Sequence, residues 1–120
     1  MTNVTIDQFK QLDIKIGTVL KAEVPGWSHW VMKLTVDLGP EIGERIIFAG
    51  IMKHYKPQDL EGKQMPFVVN MEPKKIGPEG DYSQGMMMAA ELILDPEKPD
   101  EGKPVLFELS KKVPNGTKVR

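Results

Sequence analysis

The residues best suited to chemistry in this chain are lysines. Lys53 and Lys56 flank His54-Tyr55, Lys63 comes next, and Lys74-Lys75 form a doublet. Ammonium groups at such spacing suit a phosphate backbone, and each phosphate they neutralise releases counterions, which makes binding salt-sensitive. The same lysines also fit an ordinary solvated surface, and residue type alone leaves both readings open. A second group is Trp27-Ser28-His29-Trp30. Two indoles can stack nucleobases, at ~1–3 kcal/mol per base, or can pack over a barrel end or a second chain. The run Met86-Met87-Met88 suits a pliable apolar groove. At strand spacing, however, Met86 and Met88 face one way and Met87 the other, which favours core filling.

Catalytic arrangements are thin. Neither His29 nor His54 has a metal-ligand partner two to four residues on, and there is no cysteine for a zinc site, a disulfide or thiol catalysis. Ser28 and His29 are neighbours, but a nucleophile and its base are recognised by geometry and not by adjacency. Gly77, Gly80 and Gly85 lack the spacing and trailing residues of a nucleotide-binding loop. The expectation is a binding protein, not an enzyme, with no metal and no cofactor.

At 120 residues the chain is expected to form a single domain over residues 1–120. No apolar run approaches the ~18 residues of a membrane span, and the start, Met1-Thr2-Asn3-Val4, has no basic and apolar leader. A soluble, cytoplasmic protein is expected. Sixteen basic against seventeen acidic residues lack the basic excess of a typical nucleic-acid binder. The distribution is uneven: residues 76–102 hold seven acidic residues and one basic, whereas residues 103–120 hold five basic and one acidic. A basic patch beside an acidic loop fits this, and so does a solvated surface with an acidic insertion.

The elements that must position these groups are mostly strands. Thr5 with Gln8 reads as a capping box, Val4 can staple against Phe9, and Ile6, Phe9 and Leu12 form an apolar stripe on a short opening helix. From Asp13 the period becomes two. Ile14, Ile16, Leu20, Ala22 and Val24 are expected on one face, with Val19 out of phase. Residues 32–38 alternate again, Arg45 to Ala49 reads as a third strand, and Pro57–Leu60 as a helical turn ended by Gly62. A fourth strand over 65–71 carries Pro66, which suggests an edge or a bulge. Gln84 to Ala90 and Val105 to Leu109 read as further strands, and Pro114-Asn115-Gly116 as a hairpin-type turn. Short strands with a helical turn between the third and fourth predict an all-β, five-stranded OB-fold barrel, with an N-terminal helix and a C-terminal extension.

Six stretches, in order, carry a resemblance. They are Phe9-x-x-Leu12-Asp13-Ile14-Lys15-Ile16-Gly17-Thr18-Val19, then Lys33-Leu34-x-Val36-Asp37-Leu38-Gly39, then Tyr55-Lys56-Pro57-x-x-Leu60-x-Gly62-Lys63. Val69-Asn70-x-x-Pro73-Lys74-Lys75-Ile76, Ser83-Gln84-Gly85-Met86 and Val113-Pro114-Asn115-Gly116 complete the series. With these the chain resembles the free-standing tRNA-binding domain, an OB-fold found as the beta subunit or C-terminal domain of methionyl-tRNA synthetases and related to CsaA-type chaperones.

The resemblance implies non-catalytic recognition of structured tRNA by shape and backbone, in a homodimer assisting methionyl-tRNA synthetase in trans. It implies contacts at Lys33, Lys56, Lys63, Asn70, Lys74, Lys75, Ser83, Gln84 and Met86. A dimer contact through Ile6, Phe9 and Leu12, extended by the strand at Val105–Leu109, is also expected. In place of the His-Pro-x-Ala-Asp/Glu-Lys loop common in the tRNA-binding branch, this chain has Pro25-Gly26-Trp27-Ser28-His29-Trp30. That loop is closer in length to the CsaA-type branch, so the alternative is an export-related chaperone that binds unfolded peptides.

Overall fold

The computed structural model describes all residues from Met1 to Arg120. The opening helix is one turn, α1 (Ile6–Phe9), and its capping box forms as expected. The Thr5 hydroxyl accepts from the Gln8 N–H at 3.1 Å, and the Thr5 N–H donates to the Gln8 side chain at 2.7 Å. The strand β1 (Ile14–Glu23) comes next. Its expected alternation breaks at one place. The register against β2 (Met32–Asp37) slips between Val19 and Lys21. A bulge inserts one residue and reverses the facing of the residues beyond it. Leu20 is the extra residue and turns out to solvent, so Ala22 shares the barrel core with Val19 three positions before it, whereas Ile14 and Ile16 are buried outside that cluster.

Five strands form one antiparallel sheet in the order β3-β2-β1-β4-β7, with β3 (Glu44–Ala49), β4 (Gln64–Val68) and β7 (Met86–Met87) completing it. The sheet curls until its edges nearly meet. The seam is stitched by the Gln84 N–H donating to the Ile46 carbonyl at 2.8 Å and the Phe48 N–H donating to the Ser83 hydroxyl at 3.0 Å. Inside lie Val19, Met32, Leu34, Val36, Leu38, Ile47, Met65 and Phe67, all fully buried. The helical turn α2 (Pro57–Leu60) sits between β3 and β4 and sinks Leu60 into the same core. This is an all-β, OB-type barrel, as the strand spacing predicts.

Two small ribbons decorate it: β5 (Lys74–Ile76) with β6 (Asp81–Ser83), and β8 (Ala89–Leu92) with β9 (Lys103–Leu106). The single strand expected over Gln84 to Ala90 is thus divided between the barrel and a ribbon. Pro66 is not at an edge: β4 lies between β1 and β7. The Pro66 carbonyl accepts from the Met88 N–H at 3.1 Å, so its missing donor faces the side where the two-residue β7 runs out. No ladder with β1 is lost. The Asn115-Gly116 turn likewise opens no hairpin. The chain after it runs along β1, with Ile16 and Gly116–Thr117 exchanging bonds at 2.7–2.8 Å. Asn115 locks the junction by accepting from the Thr18 hydroxyl at 2.7 Å and donating to Asp37 at 3.2 Å.

Candidate nucleic-acid interface

The β5–β6 hairpin carries Lys74 and Lys75, both exposed. They sit at its base: Lys74 is paired with Ser83 and Lys75 with Tyr82, while Ile76 and Asp81 adjoin the turn that holds Glu79. The hairpin rests on an aromatic seat. Gly77 has φ +73, and a Cβ there would overlap the Trp27 indole. Only a residue without a side chain permits both the left-handed backbone and the close approach. Trp27 in turn packs on Phe48, with ring centroids 6.2 Å apart and tilted by 39°. Phe48 is opposite Lys33 in the β2–β3 ladder, and the Lys33 ammonium lies 3.6 Å from the Asp81 carboxylate. Lys33, Lys74 and Lys75, far apart in sequence, are thereby gathered around one hairpin.

Other positions that the resemblance marks already use their polar groups within the fold. Ser83 is buried, accepts from the Phe48 N–H, and donates to the Gly85 carbonyl at 3.1 Å. The Gln84 side chain accepts from the Ile46 N–H at 3.1 Å. Asn70 accepts from the Asp13 N–H at 2.8 Å and donates to the Gln11 carbonyl at 2.6 Å, which ties the end of α1 to the end of β4. Met86 is exposed beside them. Ser83→Ala is expected to leave the Phe48 N–H and the Gly85 carbonyl short of a partner, at a cost of about 1–3 kcal/mol. Urea unfolding checks this.

Lys56 and Lys63 lie elsewhere. Lys56 is exposed at the start of α2, its backbone N–H donating to Asp59 at 2.8 Å. Lys63 points into a groove of about 390 Å³ whose lining includes Glu108, Lys111 and Lys112 and no hairpin residue. Its ammonium is 3.3 Å from the Glu108 carboxylate. The nine marked positions therefore divide. Lys33, Lys74, Lys75, Ser83, Gln84 and Met86 belong to the hairpin and the seam, Asn70 to the α1–β4 junction, and Lys56 and Lys63 to the region around α2.

Three residues outside the nine marked contacts shape this face, and for Trp27 the outcome is the packing role that the sequence offered as one of two. Trp27 supports the hairpin, Asp81 fixes Lys33, and Arg45 clamps the seam from β3. The Arg45 guanidinium donates to the Val69 carbonyl at 2.6 Å and to the Gln84 carbonyl at 3.2 Å. Arg45 has no signal in the sequence beyond being the one arginine before the final residue. Its role depends on two carbonyls more than twenty residues away.

Residues 14–118 match the family model described as "Putative tRNA binding domain". The chain is 42% identical over 117 residues to a methionine–tRNA ligase of Methanothrix thermoacetophila, a match covering 98% of this chain and 16% of that enzyme. It thus spans about one sixth of the length of the curated relative. Among solved structures, a MetRS related protein from Pyrococcus horikoshii superposes with a TM-score of 0.85 at 38% identity, with each chain covered in full. The chaperone CsaA of Bacillus anthracis superposes with a TM-score of 0.79 at 33% identity, covering 99% of this chain and all of that one. With its barrel, its helical turn between β3 and β4 and all but the first thirteen and last two residues inside the family match, this chain belongs to the tRNA-binding domain family.

Proposed function

We propose that this chain binds structured tRNA without catalysis, through the face built around the β5–β6 hairpin. The observation that carries the reading is the convergence of Lys33, Lys74 and Lys75 on one supported hairpin. Lys74 and Lys75, exposed on the two faces of the hairpin, carry its unpaired ammonium groups, and Lys33, held by Asp81, lies beside them, an arrangement that suits phosphates spaced along a folded backbone. Lys56, Lys63, Asn70, Ser83, Gln84 and Met86 remain proposed contacts, the last four through atoms left free or through the shape they maintain. Residues 1–120 act as one cytoplasmic unit that raises the local concentration of tRNA beside methionyl-tRNA synthetase in trans. A gel shift with total tRNA at two salt concentrations tests this. Binding that weakens steeply with salt supports the reading, and no shift at low salt rejects it.

A second reading has its own observation. An apolar groove of about 470 Å³ runs between Phe48, Met86, Met87, Met88, Pro104 and Phe107, and the CsaA likeness fits it. Pliable methionine-lined surfaces accept varied apolar side chains. Salt-tolerant binding of an unfolded peptide, with no tRNA binding, would favour a chaperone.

The functional unit is a homodimer in this proposal. Ile6, Phe9 and Leu12 are 68%, 39% and 46% exposed, so the stripe on α1 has no cover within the chain. Val105, Phe107 and Leu109 are exposed as well and extend the apolar surface available to a second copy. A two-fold contact would use one patch on both partners. Sedimentation at tens of micromolar is expected to show a species of about twice the 13.5 kDa chain mass. Phe9→Asp is expected to weaken the dimer at least about tenfold, because a carboxylate would be buried without a partner. A parent protein that sediments as a monomer rejects the proposal.

A further inference from the structure

The two tryptophans of the β1–β2 loop have separate fates, and only one is used by the fold. Trp27 is the seat of the hairpin. Trp30 keeps 56% of its surface exposed, and its ring borders the Gly50 backbone. The loop that presents it is nevertheless pinned. Ser28 is buried, and its hydroxyl donates to the Val31 carbonyl at 2.7 Å while accepting from the Val31 N–H at 2.9 Å and the Trp30 N–H at 3.3 Å. On the other side the Trp30 carbonyl accepts from the Met52 N–H at 3.3 Å. An indole held toward solvent on an immobilised backbone has already lost the freedom that a binding loop otherwise loses on contact.

We propose that Trp30 is a stacking platform for an unpaired nucleobase of the bound RNA. This rests on the RNA-binding reading above and names one subsite of it. Unpaired bases in RNA loops and ends can be splayed onto aromatic faces, whereas paired ones are held in the helix. The surroundings favour a base over an apolar peptide or a second chain. His29 precedes Trp30, and the Met52 bond brings Lys53 and His54 alongside; all three side chains are exposed. Lys53 is thus available to the phosphate that adjoins a stacked base. Of the apolar surfaces offered to a second copy, the α1 stripe is formed by another part of the chain, and the groove at Phe107 meets the surroundings of Trp30 at Gly50 without being lined by Trp30 itself.

Tryptophan emission and filter binding, with total tRNA and with a fully paired RNA duplex as probes, test the proposal on three proteins: the parent, Trp30→Leu and Trp30→Phe. tRNA is expected to quench the parent strongly and Trp30→Leu only weakly, since that variant retains Trp27 alone. Trp30→Leu should weaken tRNA binding about tenfold, within the range of one lost stack, without changing the salt slope. Trp30→Phe should recover most of the affinity, and duplex binding should be the same in all three. The parent binding tRNA with Trp30→Leu equally tight would overturn the stacking role while leaving the RNA-binding reading intact. Equal losses for tRNA and duplex would also overturn it. A parent that binds neither probe would overturn both, and quenching by an unfolded peptide alone would assign Trp30 to a chaperone surface.

Discussion

Replacing Lys74 and Lys75 together with glutamate is expected to weaken tRNA binding about a hundredfold near 0.1 M salt. Each lysine that neutralises a phosphate contributes ~0.7–0.9 to the slope of log affinity against log salt. Removing two such contacts should therefore flatten the slope by roughly 1.5 and cost over tenfold in affinity, and two new carboxylates add repulsion. Both side chains are exposed on a hairpin whose strands are held by backbone pairing and whose turn is seated on Trp27. The fold should accordingly survive, and an unchanged unfolding midpoint confirms that the loss is one of binding. Filter binding over a series of salt concentrations gives both quantities. A double variant with the parent's affinity and slope would remove the hairpin from the site.

Phe67→Ala should have the largest effect on stability, about 3–5 kcal/mol. Phe67 is fully buried, lies on β4, and belongs to the single apolar cluster inside the barrel. Its neighbours cannot close the void easily. On one side β4 is bonded to β1, on the other to β7, and the seam between β7 and β3 is held by Ser83, Gln84 and Arg45. A hydrogen-bonded barrel wall moves only by breaking that ladder, so most of the cavity persists. Against a typical total of about 5–15 kcal/mol, the loss should lower the melting temperature by roughly 10–25 °C. Thermal unfolding by circular dichroism measures it. A shift under about 5 °C would mean that the barrel collapses around the gap after all.

These two sites differ in how visible they are along the chain. Local information was enough for the capping box at Thr5 and Gln8, for strand alternation in β2 and for the helical turn at Pro57, because each depends on residues within a few positions. The order of these elements then points to a five-stranded barrel, and the motif stretches to a tRNA-binding domain. That Leu20 faces solvent while Val19 and Ala22 share the core was not legible, since it depends on a bulge that exists only where β1 meets β2. The same holds for Pro66 and for the Asn115-Gly116 turn, whose roles come from strands that pair across the barrel.

The sequence by itself determined the class of fold, the supply of lysines and tryptophans, and the short spans over which each strand could form. Tertiary structure decided which of those side chains share a surface. Lys33 meets the Lys74-Lys75 hairpin only because Trp27 fits over Gly77 and Asp81 reaches back to β2, whereas Lys56 and Lys63 end beside α2. It also divided the tryptophan pair, packing one ring against Phe48 and leaving the other exposed. The physical reason is range. Periodicity and capping are set by neighbours in the chain, but a face is set by contacts between segments tens of residues apart, and those form only when the barrel closes.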